Sequence, residues 1–235
     1  MKLHIIQGTH YAYPPADINI VIDVIRAFTV SHIAFMRRAR EIFLVNTVDE
    51  AFALKAINPG FLLAGEVGAL PIPGFDLDNS PHTFSNADIA DKSLVQKTTN
   101  GVKATLLALT AKNAPSVFVT GLSNARKTAR HVRALAASIP DCRINIIASH
   151  PQDDDDLACA EYIQDELLGR NIVLVKVIQD RIKNARSAQK FFDPEQSAFN
   201  AQDMPLCLRE VDCDFVMQVD GSDLPPRIVK QITRA

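Results

Sequence analysis

The sequence predicts an α/β fold with three layers, α/β/α, in which helices cover both faces of a largely parallel or mixed sheet. Short β-rich apolar runs alternate with helical patterns, which is typical of strands joined by crossover helices. With 235 residues the chain is long for one domain and short for two. A hydrophobic fraction of 47% is ordinary for a globular protein with a sizeable core. We therefore expect residues 1–235 to form a single domain.

The predicted strands are buried apolar runs, and a segment with helical character follows each of them. Glycine, proline or capping residues mark several of the element ends. In chain order the predicted strands are 18–24, 41–45, 61–64, 93–98, 116–120 and 143–148. The predicted helices are 27–40, 48–57, 102–112, 124–138 and 154–169, with a further helix end at 187–192. The weakly alternating tail 206–219 is expected to add structure at an edge of the sheet.

The segment 65–81 interrupts this alternation. It contains three of the nine glycines and three of the thirteen prolines, together with three carboxylates. Proline lacks a backbone donor and glycine is entropically unfavourable in regular structure, so the segment is predicted to be a long ordered loop. Loops of this length are usually functional or disordered, and the apolar residues of this one argue against disorder. A compact Ω-loop with a purely structural role is the alternative.

Charge and cysteine content argue against several classes of function. The formal net charge is −2, so no bulk field attracts nucleic acid or an anionic membrane. No apolar stretch approaches the roughly 18 residues that span a bilayer, and the N-terminal apolar run is too short for a signal peptide. Four scattered cysteines without a Cys-x-x-Cys pair favour reduced thiols and a cytoplasmic location. A homodimer is expected only because homo-oligomers are common.

Four strand-to-helix junctions carry polar residues, and ligands of an open α/β sheet bind at the carboxyl ends of its strands. At the first, Asp23 closes an apolar strand and Arg26 follows three residues later. A metal or a nearby cation is expected to compensate this carboxylate, and a helix N-cap or an internal Asp–Arg pair is the alternative. The second junction can cradle an anion at a helix N-terminus, or simply cap that helix. It comprises Thr98, Thr99, Asn100 and Gly101, with Lys103 just inside the helix.

The third and fourth junctions offer further candidates. Ser123 and Asn124 follow a glycine after the predicted strand 116–120. The fourth joins His150 to four consecutive aspartates, 153–156, which is ordinarily a solvated acidic helix start. Mg²⁺ prefers one or two carboxylates plus water and phosphate oxygens. Because four consecutive side chains cannot all face inward, we expect one of the four aspartates to matter. His150 is also a candidate proton donor, as is His82.

Several common motifs are missing from the sequence. It has no Gly-x-Gly-x-x-Gly fingerprint for a dinucleotide and no Walker-type phosphate loop. It also has no Gly-x-Ser-x-Gly elbow of an α/β-hydrolase. Any binding of a phosphate must therefore depend on the junctions described above.

Taken together, these segments resemble the 2-phosphosulfolactate phosphatase family. The resemblance extends from about residue 20 to 217 and keeps the order of the family's motifs. Its most specific pieces are Ile-Pro-Gly-Phe-Asp-Leu at 72–77 and Thr-Thr-Asn-Gly at 98–101. Further matching pieces are Asp23-Val24-Ile25-Arg26-Ala27 with Thr29, Gly65-Glu66 with Gly68, Asn79-Ser80-Pro81, Lys103-Ala104, Asn124-Ala125, Leu206-Cys207-Leu208 and Asp214-Phe215-Val216.

The resemblance implies a three-layer α/β/α fold and a Mg²⁺-dependent acid phosphatase. The family reaction converts 2-phospho-3-sulfolactate to 3-sulfolactate, a step toward coenzyme M. The leading hypothesis is therefore a phosphatase for a small acidic phosphate monoester. The residues expected to hold Mg²⁺ are Asp23, Glu66 and Asp156, and those expected to be catalytic are Asp23, Arg26 and Asp76. The substrate is expected at Thr98, Thr99, Asn100, Gly101, Lys103, Ser123 and Asn124.

Four departures from the family pattern motivate an alternative. Val67 stands where the family usually has arginine, Phe28 where it favours threonine, and Asp78 where glycine is usual. The segment 149–152 replaces a glycine-rich loop, so that the acidic pair of the family falls on 155–156. Losing an arginine and gaining an acid would weaken binding of a doubly anionic substrate. The alternative hypothesis is a non-catalytic binding protein for a phosphorylated small acid.

Overall fold

The predicted alternation of strands and helices is present in a computed structural model, which describes residues 1–9, 12–110, 116–170 and 172–233. The described residues form a single α/β domain with helices on both faces of one mixed sheet. Its strands are β1 (Lys2–Gln7), β2 (Ile18–Ile22), β3 (Glu41–Leu44), β4 (Leu62–Val67), β5 (Leu70–Pro71), β6 (Ser93–Lys97), β7 (Ser116–Thr120), β8 (Arg143–Ala148), β9 (Phe215–Asp220) and β10 (Arg227–Ile232). Its helices are α1 (Ala27–Met36), α2 (Val48–Ile57), α3 (Pro81–Asn86), α4 (Gly101–Leu109), α5 (Ala125–Ala136), α6 (Asp154–Leu168), α7 (Val175–Asn184), α8 (Arg186–Gln189) and α9 (Asp203–Cys207).

The sheet consists of two parallel halves joined through its middle. The strand order is β1-β8-β2-β7-β9-β10-β3-β6-β4-β5. One half contains β1, β8, β2 and β7, which are mutually parallel, and the other contains β3, β6 and β4. Three antiparallel pairings, β7–β9, β9–β10 and β10–β3, lie between the halves. Because three reversals separate them, the two parallel halves run in opposite directions.

The central strand β2 is buried on both faces, as expected for a strand between two helical layers. Ile18, Ile20 and Ile22 face a core formed with α5, α6 and α7. Val21 belongs to the core on the opposite face, where α1 and α4 lie. Asn19 also points to that face and donates its side-chain amide to the carbonyl of Ala108 in α4, at 3.1 Å. The predicted three-layer arrangement is therefore confirmed.

Most element predictions are confirmed to within a few residues, because buried apolar runs and helix caps are local signals. The helix predicted at 48–57 has the predicted bounds, and Thr47 caps it in a capping box with Glu50. The helix predicted at 102–112 is α4, which ends at Leu109. Residues 111–112 of that prediction lie outside the described residues. All four cysteines are free, and three of them are buried.

Two predictions were wrong. The segment 65–81 is not a continuous loop, since β4 extends to Val67, β5 pairs with it as a short hairpin, and α3 begins at Pro81. The tail does not lie at an edge, because β9 lies between β7 and β10 in the interior of the sheet. Phe215, Val216 and Met217 are all buried, so β9 lacks the period-two pattern that marks a half-exposed strand. No helix in the described ranges is long and apolar enough to cross a membrane.

Candidate active site

Asp23 follows β2 directly and joins the starts of two helices. Its Oδ1 accepts the backbone N–H of Ala27, the first residue of α1, at 2.9 Å. Its Oδ2 accepts the N–H of Gly101, the first residue of α4, at 3.0 Å. A Cβ atom at Gly101 would lie 2.7 Å from that Oδ2, so only glycine permits this approach. The buried carboxylate thus caps both helices at their positive ends.

The second junction contacts Asp23 although the strand that precedes it runs in the opposite direction to β2. We predicted that the strand ends carrying the site share one edge of the sheet, but β6 belongs to the half that runs opposite to β2. The contact arises because α4 runs antiparallel to β2 along its face. Ala108 near the end of α4 binds Asn19 early in β2, and Gly101 at the start of α4 binds Asp23 after β2.

Two further buried carboxyl groups lie beside Asp23. Asp156 Oδ1 accepts the N–H of Val24 at 2.8 Å, and its Oδ2 accepts the N–H of His150 at 3.0 Å. The Ser149 hydroxyl donates to the same Oδ2 at 2.9 Å and lies 3.4 Å from Asp23 Oδ2, so it bridges the two carboxylates. Asp155 is buried next to them, and its Oδ1 has no hydrogen-bond partner among the described residues.

The three carboxyl groups titrate far from their ordinary range. Burial raises the pKa of Asp23 to about 7, with a further rise from Asp155 and Glu66 against the opposing amides of Ala27 and Gly101. Burial also raises the pKa of Asp155 to about 6. Burial, and then the charges of Asp155 and Asp23, raise the pKa of Asp156 well above its usual value. No lysine or arginine of the described ranges forms an ion pair with them, so the cluster favours a proton or a bound cation.

As expected, the four consecutive aspartates do not all face inward. Asp153, Asp155 and Asp156 are all buried, whereas Asp154 is partly exposed and pairs with Arg181. The side chain of Asp153 does not follow the helical spacing of the next three aspartates, because Asp153 is the N-cap of α6 and has an extended backbone. It caps α6 and also accepts backbone N–H groups from the start of α8.

Glu66 closes the cluster from the side of β4. Its Oε1 accepts the N–H of Thr99 at 2.5 Å, and its Oε2 accepts the N–H of Ala69 at 2.5 Å and the Thr99 hydroxyl at 2.9 Å. Gly68 N–H donates to the same hydroxyl at 2.9 Å. The β4–β5 turn is thereby fastened to the start of α4. The predicted anion cradle therefore already holds two protein carboxylates, Glu66 on the Thr99 amide and Asp23 on the Gly101 amide.

These groups line a cleft of about 500 Å³. Three carboxylates, Asp23, Glu66 and Asp153, and three cations, Arg26, Arg186 and Lys190, line it. The other lining residues are Ile25, Gly68, Ala69, Asn79, Thr99, Asn100, His150, Gln152 and Ser187. A cleft lined by both carboxylates and cations is suited to a cation together with an anionic small molecule.

Arg26 is the most constrained cation of the cleft. It forms a buried ion pair with Asp203 at 2.9 Å. Its guanidinium carbon lies 5.0 Å from the ring centre of Phe191 and 5.8 Å from that of Phe199, and a second nitrogen donates to the carbonyl of Ala69 at 3.3 Å. The alternative of an internal pair between Asp23 and Arg26 was wrong, because Arg26 pairs with Asp203. The other alternative, that Asp23 caps a helix, is confirmed.

Comparison with known proteins identifies the family of this chain. A sequence model described as 2-phosphosulpholactate phosphatase matches residues 4–229. A Bacillus subtilis (strain 168) protein named "Probable 2-phosphosulfolactate phosphatase" is 53% identical over 232 residues, covering 99% of this chain and 100% of that protein. A protein of the same name from Caldicellulosiruptor saccharolyticus is 30% identical over 234 residues, covering 90% of this chain and 95% of the relative. The chain belongs to the 2-phosphosulpholactate phosphatase family.

Membership of the 2-phosphosulpholactate phosphatase family confirms the resemblance seen in the sequence. It also makes the chain an enzyme of the phosphoric monoester hydrolase class. The alternative of a non-catalytic binding protein is not favoured by the names of the family and of the relatives. Of the departures that motivated it, the segment 149–152 contributes His150 and Gln152 to the cleft, whereas Val67 is about half exposed and does not line it.

The cleft of this family member does not contain Asp76. Asp76 accepts the N–H of Leu63 at 2.7 Å and pairs with Lys55 at 2.5 Å, and it is one-third exposed. Partial burial raises its pKa, but the hydrogen bonds from Lys55 and Leu63 more than offset this and hold the pKa below its usual value. Asp76 therefore anchors the segment after β5 to β4, and its placement does not favour a catalytic role.

Ser123 and Asn124 line a separate cavity of about 730 Å³ together with basic residues of α5. The Ser123 hydroxyl lies 2.9 Å from Nδ1 of His32, and Asn124 bonds to Thr120 and Thr128. The prediction placed both residues with Asp23, but α1 begins between the end of β7 and the cleft. Thr29 of α1 packs directly against Gly121.

The remaining residues of the second junction divide between two roles. Asn100 is half-buried and lines the cleft, as does Thr99. Thr98 is buried and caps α4 by accepting the N–H of Val102 at 3.1 Å. Lys103 is exposed on α4 and is not among the lining residues, because it points away from the helix start.

Sequence reasoning missed several residues of the cleft. Arg186 and Lys190 lie in the short helix α8 and at its end, where no strand precedes them and the strand-end rule does not apply. Asp203 lies in α9, far along the chain from its partner Arg26. A local signal did exist at α8, since two cations four residues apart precede Phe191 and mark one charged helix face.

Proposed function

We propose that the protein is a Mg²⁺-dependent phosphatase that hydrolyses 2-phospho-3-sulfolactate to 3-sulfolactate, a step toward coenzyme M. One observation carries the proposal. The buried Asp23 carboxylate, which has no counterion among the described residues and shares the Ser149 hydroxyl with Asp156, lines a cleft of about 500 Å³ together with three cations. The names of the relatives, each a probable 2-phosphosulfolactate phosphatase, supply the substrate.

The residues of the cleft fit a Mg²⁺ ion. Asp23 and Asp156 share the Ser149 hydroxyl, and the buried Asp155 Oδ1 lacks a partner among the described residues. Within the described ranges no three His, Cys, Asp or Glu side chains converge as a metal cage, so Asp23, Glu66 and Asp156 do not form a three-carboxylate site. Mg²⁺ needs only one or two carboxylates besides water and phosphate oxygens. Asp23 and Asp156 would hold it, and the ion would polarise the phosphoryl group and acidify a water molecule.

The protein side chains bind and orient the phosphate. Arg26 presents a fixed guanidinium, which suits the bidentate binding of a phosphate. The half-buried side chain of Asn100 adds a donor at the start of α4, where the helix dipole favours negative charge. The Gly101 amide, which we predicted as a phosphate donor, binds Asp23 and contributes indirectly by fixing that carboxylate.

His150 is positioned to supply the proton that the leaving alkoxide needs. It lines the cleft, and its backbone N–H is held by Asp156. In the neutral ring Nδ1 accepts the N–H of Gln152 at 3.3 Å. To act as the acid, the ring would first take up a proton and give up this contact; the imidazolium would then donate its Nε2 proton to the leaving oxygen and return to the neutral form. General-acid assistance of this kind typically contributes 10²–10⁴-fold in rate.

The test is phosphate release from 2-phospho-3-sulfolactate, 2-phospholactate and a chromogenic aryl phosphate, each with Mg²⁺ and with a chelator. We expect release that requires Mg²⁺ and is fastest with 2-phospho-3-sulfolactate. Equal release in chelator would contradict the metal assignment. Failure to release phosphate from any ester, with protein that melts cooperatively, would contradict the proposed reaction.

A further inference from the structure

Two cations of the cleft have no carboxylate partner within the described ranges. Arg186 begins α8 and Lys190 follows its last residue, so they are four residues apart and share one helix face. Neither takes part in an ion pair of the described chain, whereas Arg26 is neutralised by Asp203. The cleft therefore carries two positive charges in addition to that of Arg26, which is the cation assigned to the phosphate.

The position of α8 is fixed by buried contacts. The Asp153 carboxylate accepts the N–H of Arg186 at 3.0 Å and that of Ser187 at 2.5 Å. At the other end of α8, the Lys190 ammonium lies 4.6 Å from the ring centre of Phe199 and 5.7 Å from that of Phe191. These contacts fix the Lys190 ammonium and the backbone of Arg186, whose exposed side chain lines the cleft, so a ligand has to order little more than that side chain.

Arg26 and Lys190 share the same two aromatic rings. Arg26 lies over Phe191 and Phe199, and Lys190 lies over the same pair. Burial and then the charge of Arg26 lower the pKa of Lys190, while carboxylates across the cleft oppose this. Two cations held this close repel each other unless an anion lies between or beside them.

We propose that Arg186 and Lys190 form a subsite for a second oxyanion of the substrate, a sulfonate or carboxylate, while Arg26 and the carboxylate side of the cleft receive the phosphate. The subsite deepens the proposed function and depends on it for the placement of the phosphate. It explains selection of phosphate monoesters that carry another strong acid over esters with a neutral alcohol. Arg186 and Lys190 act here as specificity residues.

The experiment compares Lys190→Met and Arg186→Met with the wild type, with Lys183→Met as a matched control. Lys183 is an exposed cation on α7 that is not among the lining residues. We expect KM for 2-phospho-3-sulfolactate and 2-phospholactate to rise about tenfold or more in both cleft variants. The kcat/KM for the aryl phosphate should stay within about twofold, Lys183→Met should match the wild type, and Lys190→Arg should restore most of the loss.

A binding measurement separates this inference from the proposed reaction. Calorimetry with 3-sulfolactate and, separately, inorganic phosphate uses ligands that are not hydrolysed. We expect Lys190→Met to weaken 3-sulfolactate about tenfold and to leave phosphate unchanged. An equal loss for both ligands, an equal loss for all esters, or no binding of 3-sulfolactate to the wild type would overturn the subsite. Wild-type protein that releases no phosphate but shows the unequal binding loss would overturn the reaction alone.

Discussion

Asp203 holds the guanidinium of Arg26 in place from the side opposite the cleft. The two groups are 2.9 Å apart, and their side chains are 0% and 5% exposed. The second oxygen of Asp203 accepts the Ser80 hydroxyl at 2.5 Å and the N–H of His82 at 3.0 Å. The starts of α1 and α3 thus meet α9 at one carboxylate. Removing one partner of such a pair leaves a buried charge without compensation.

We expect Asp203→Ala to destabilise the protein by roughly 3 to 5 kcal/mol, because breaking a buried ion pair costs about that much. Asp203→Asn keeps the size of the side chain, so it should fold while raising KM for every ester. Urea unfolding and steady-state kinetics check the two effects. The matched control is Asp91→Asn, which removes an exposed pair with Arg38 at 3.4 Å and should cost at most about 1 kcal/mol. Equal costs for the buried and exposed pairs would contradict the anchoring role.

We expect Asp23→Asn to abolish turnover without lowering the unfolding temperature measured in chelator. The variant removes a buried carboxylate that is repelled by Asp155 and Glu66. This relief should offset the loss of one helix cap, since the asparagine amide can accept only one of the Ala27 and Gly101 N–H groups. Asp76→Asn serves as the control, since it changes an aspartate in a partly exposed pair with Lys55. Its turnover should stay within a few-fold of the wild type. If Asp76→Asn is inactive and Asp23→Asn is active, our assignment of the site is reversed.

The contribution of His32 to stability should decrease on acidification. Burial, and then the charge of Lys230, lower the pKa of His32 to about 4, and its Nε2 is buried without a partner among the described residues. The unfolded chain binds a proton near pH 6.5 whereas the native state does not, so the native state loses stability as the pH falls from about 6.5 to about 4. The loss should reach roughly 3 kcal/mol.

Chemical denaturation at several pH values, with the wild type and His32→Gln, measures this effect. The difference in unfolding free energy between the two proteins should change by roughly 3 kcal/mol between about pH 6.5 and about pH 4. His4→Gln is the control for the substitution itself, since His4 is exposed on β1. A pH-independent difference for His32→Gln would show that His32 does not titrate as inferred.

Gly101→Ala should damage the site, because its Cβ atom would lie 2.7 Å from Asp23 Oδ2 and 3.2 Å from the Cβ atom of Ala27. Relief requires α4 to move away from Asp23, and we expect a loss of roughly 1 to 3 kcal/mol with at least tenfold lower activity. Gly60→Ala is the control, since nothing lies within 4 Å of its added Cβ atom. Thermal unfolding and phosphate release compare the two variants. Equal behaviour would show that α4 tolerates the displacement.

The sequence is informative where the controlling interaction is local. The apolar runs, the capping box at Thr47 and the carboxylate after β2 all depend on neighbouring residues, and they predict both the layers and Asp23. The start of α4 is harder to interpret. Its residues predict an anion cradle, but only the fold shows that the anions on the Thr99 and Gly101 amides are the protein's own Glu66 and Asp23.

Other parts of the site depend on contacts between distant segments. Arg26 and Asp203 are 177 residues apart, so nothing near Arg26 indicates its partner. Arg186 and Lys190 enter the cleft only because Asp153 draws α8 against the start of α6. No local sequence pattern predicts the interior position of β9, because a strand buried on both faces lacks the alternation of apolar and polar residues.

The two strands that join the halves of the sheet come after every other element in chain order. Until β9 and β10 pair with them, β7 and β3 each have an unpaired edge, and no strand hydrogen bonds join the two halves of the sheet. During synthesis the emerging chain therefore carries two unfinished sheets with unpaired strand edges, the kind of surface that aggregates or recruits chaperones. The β9–β10 hairpin joins the two halves into one sheet. Loss of this hairpin would leave both halves with an unpaired strand edge.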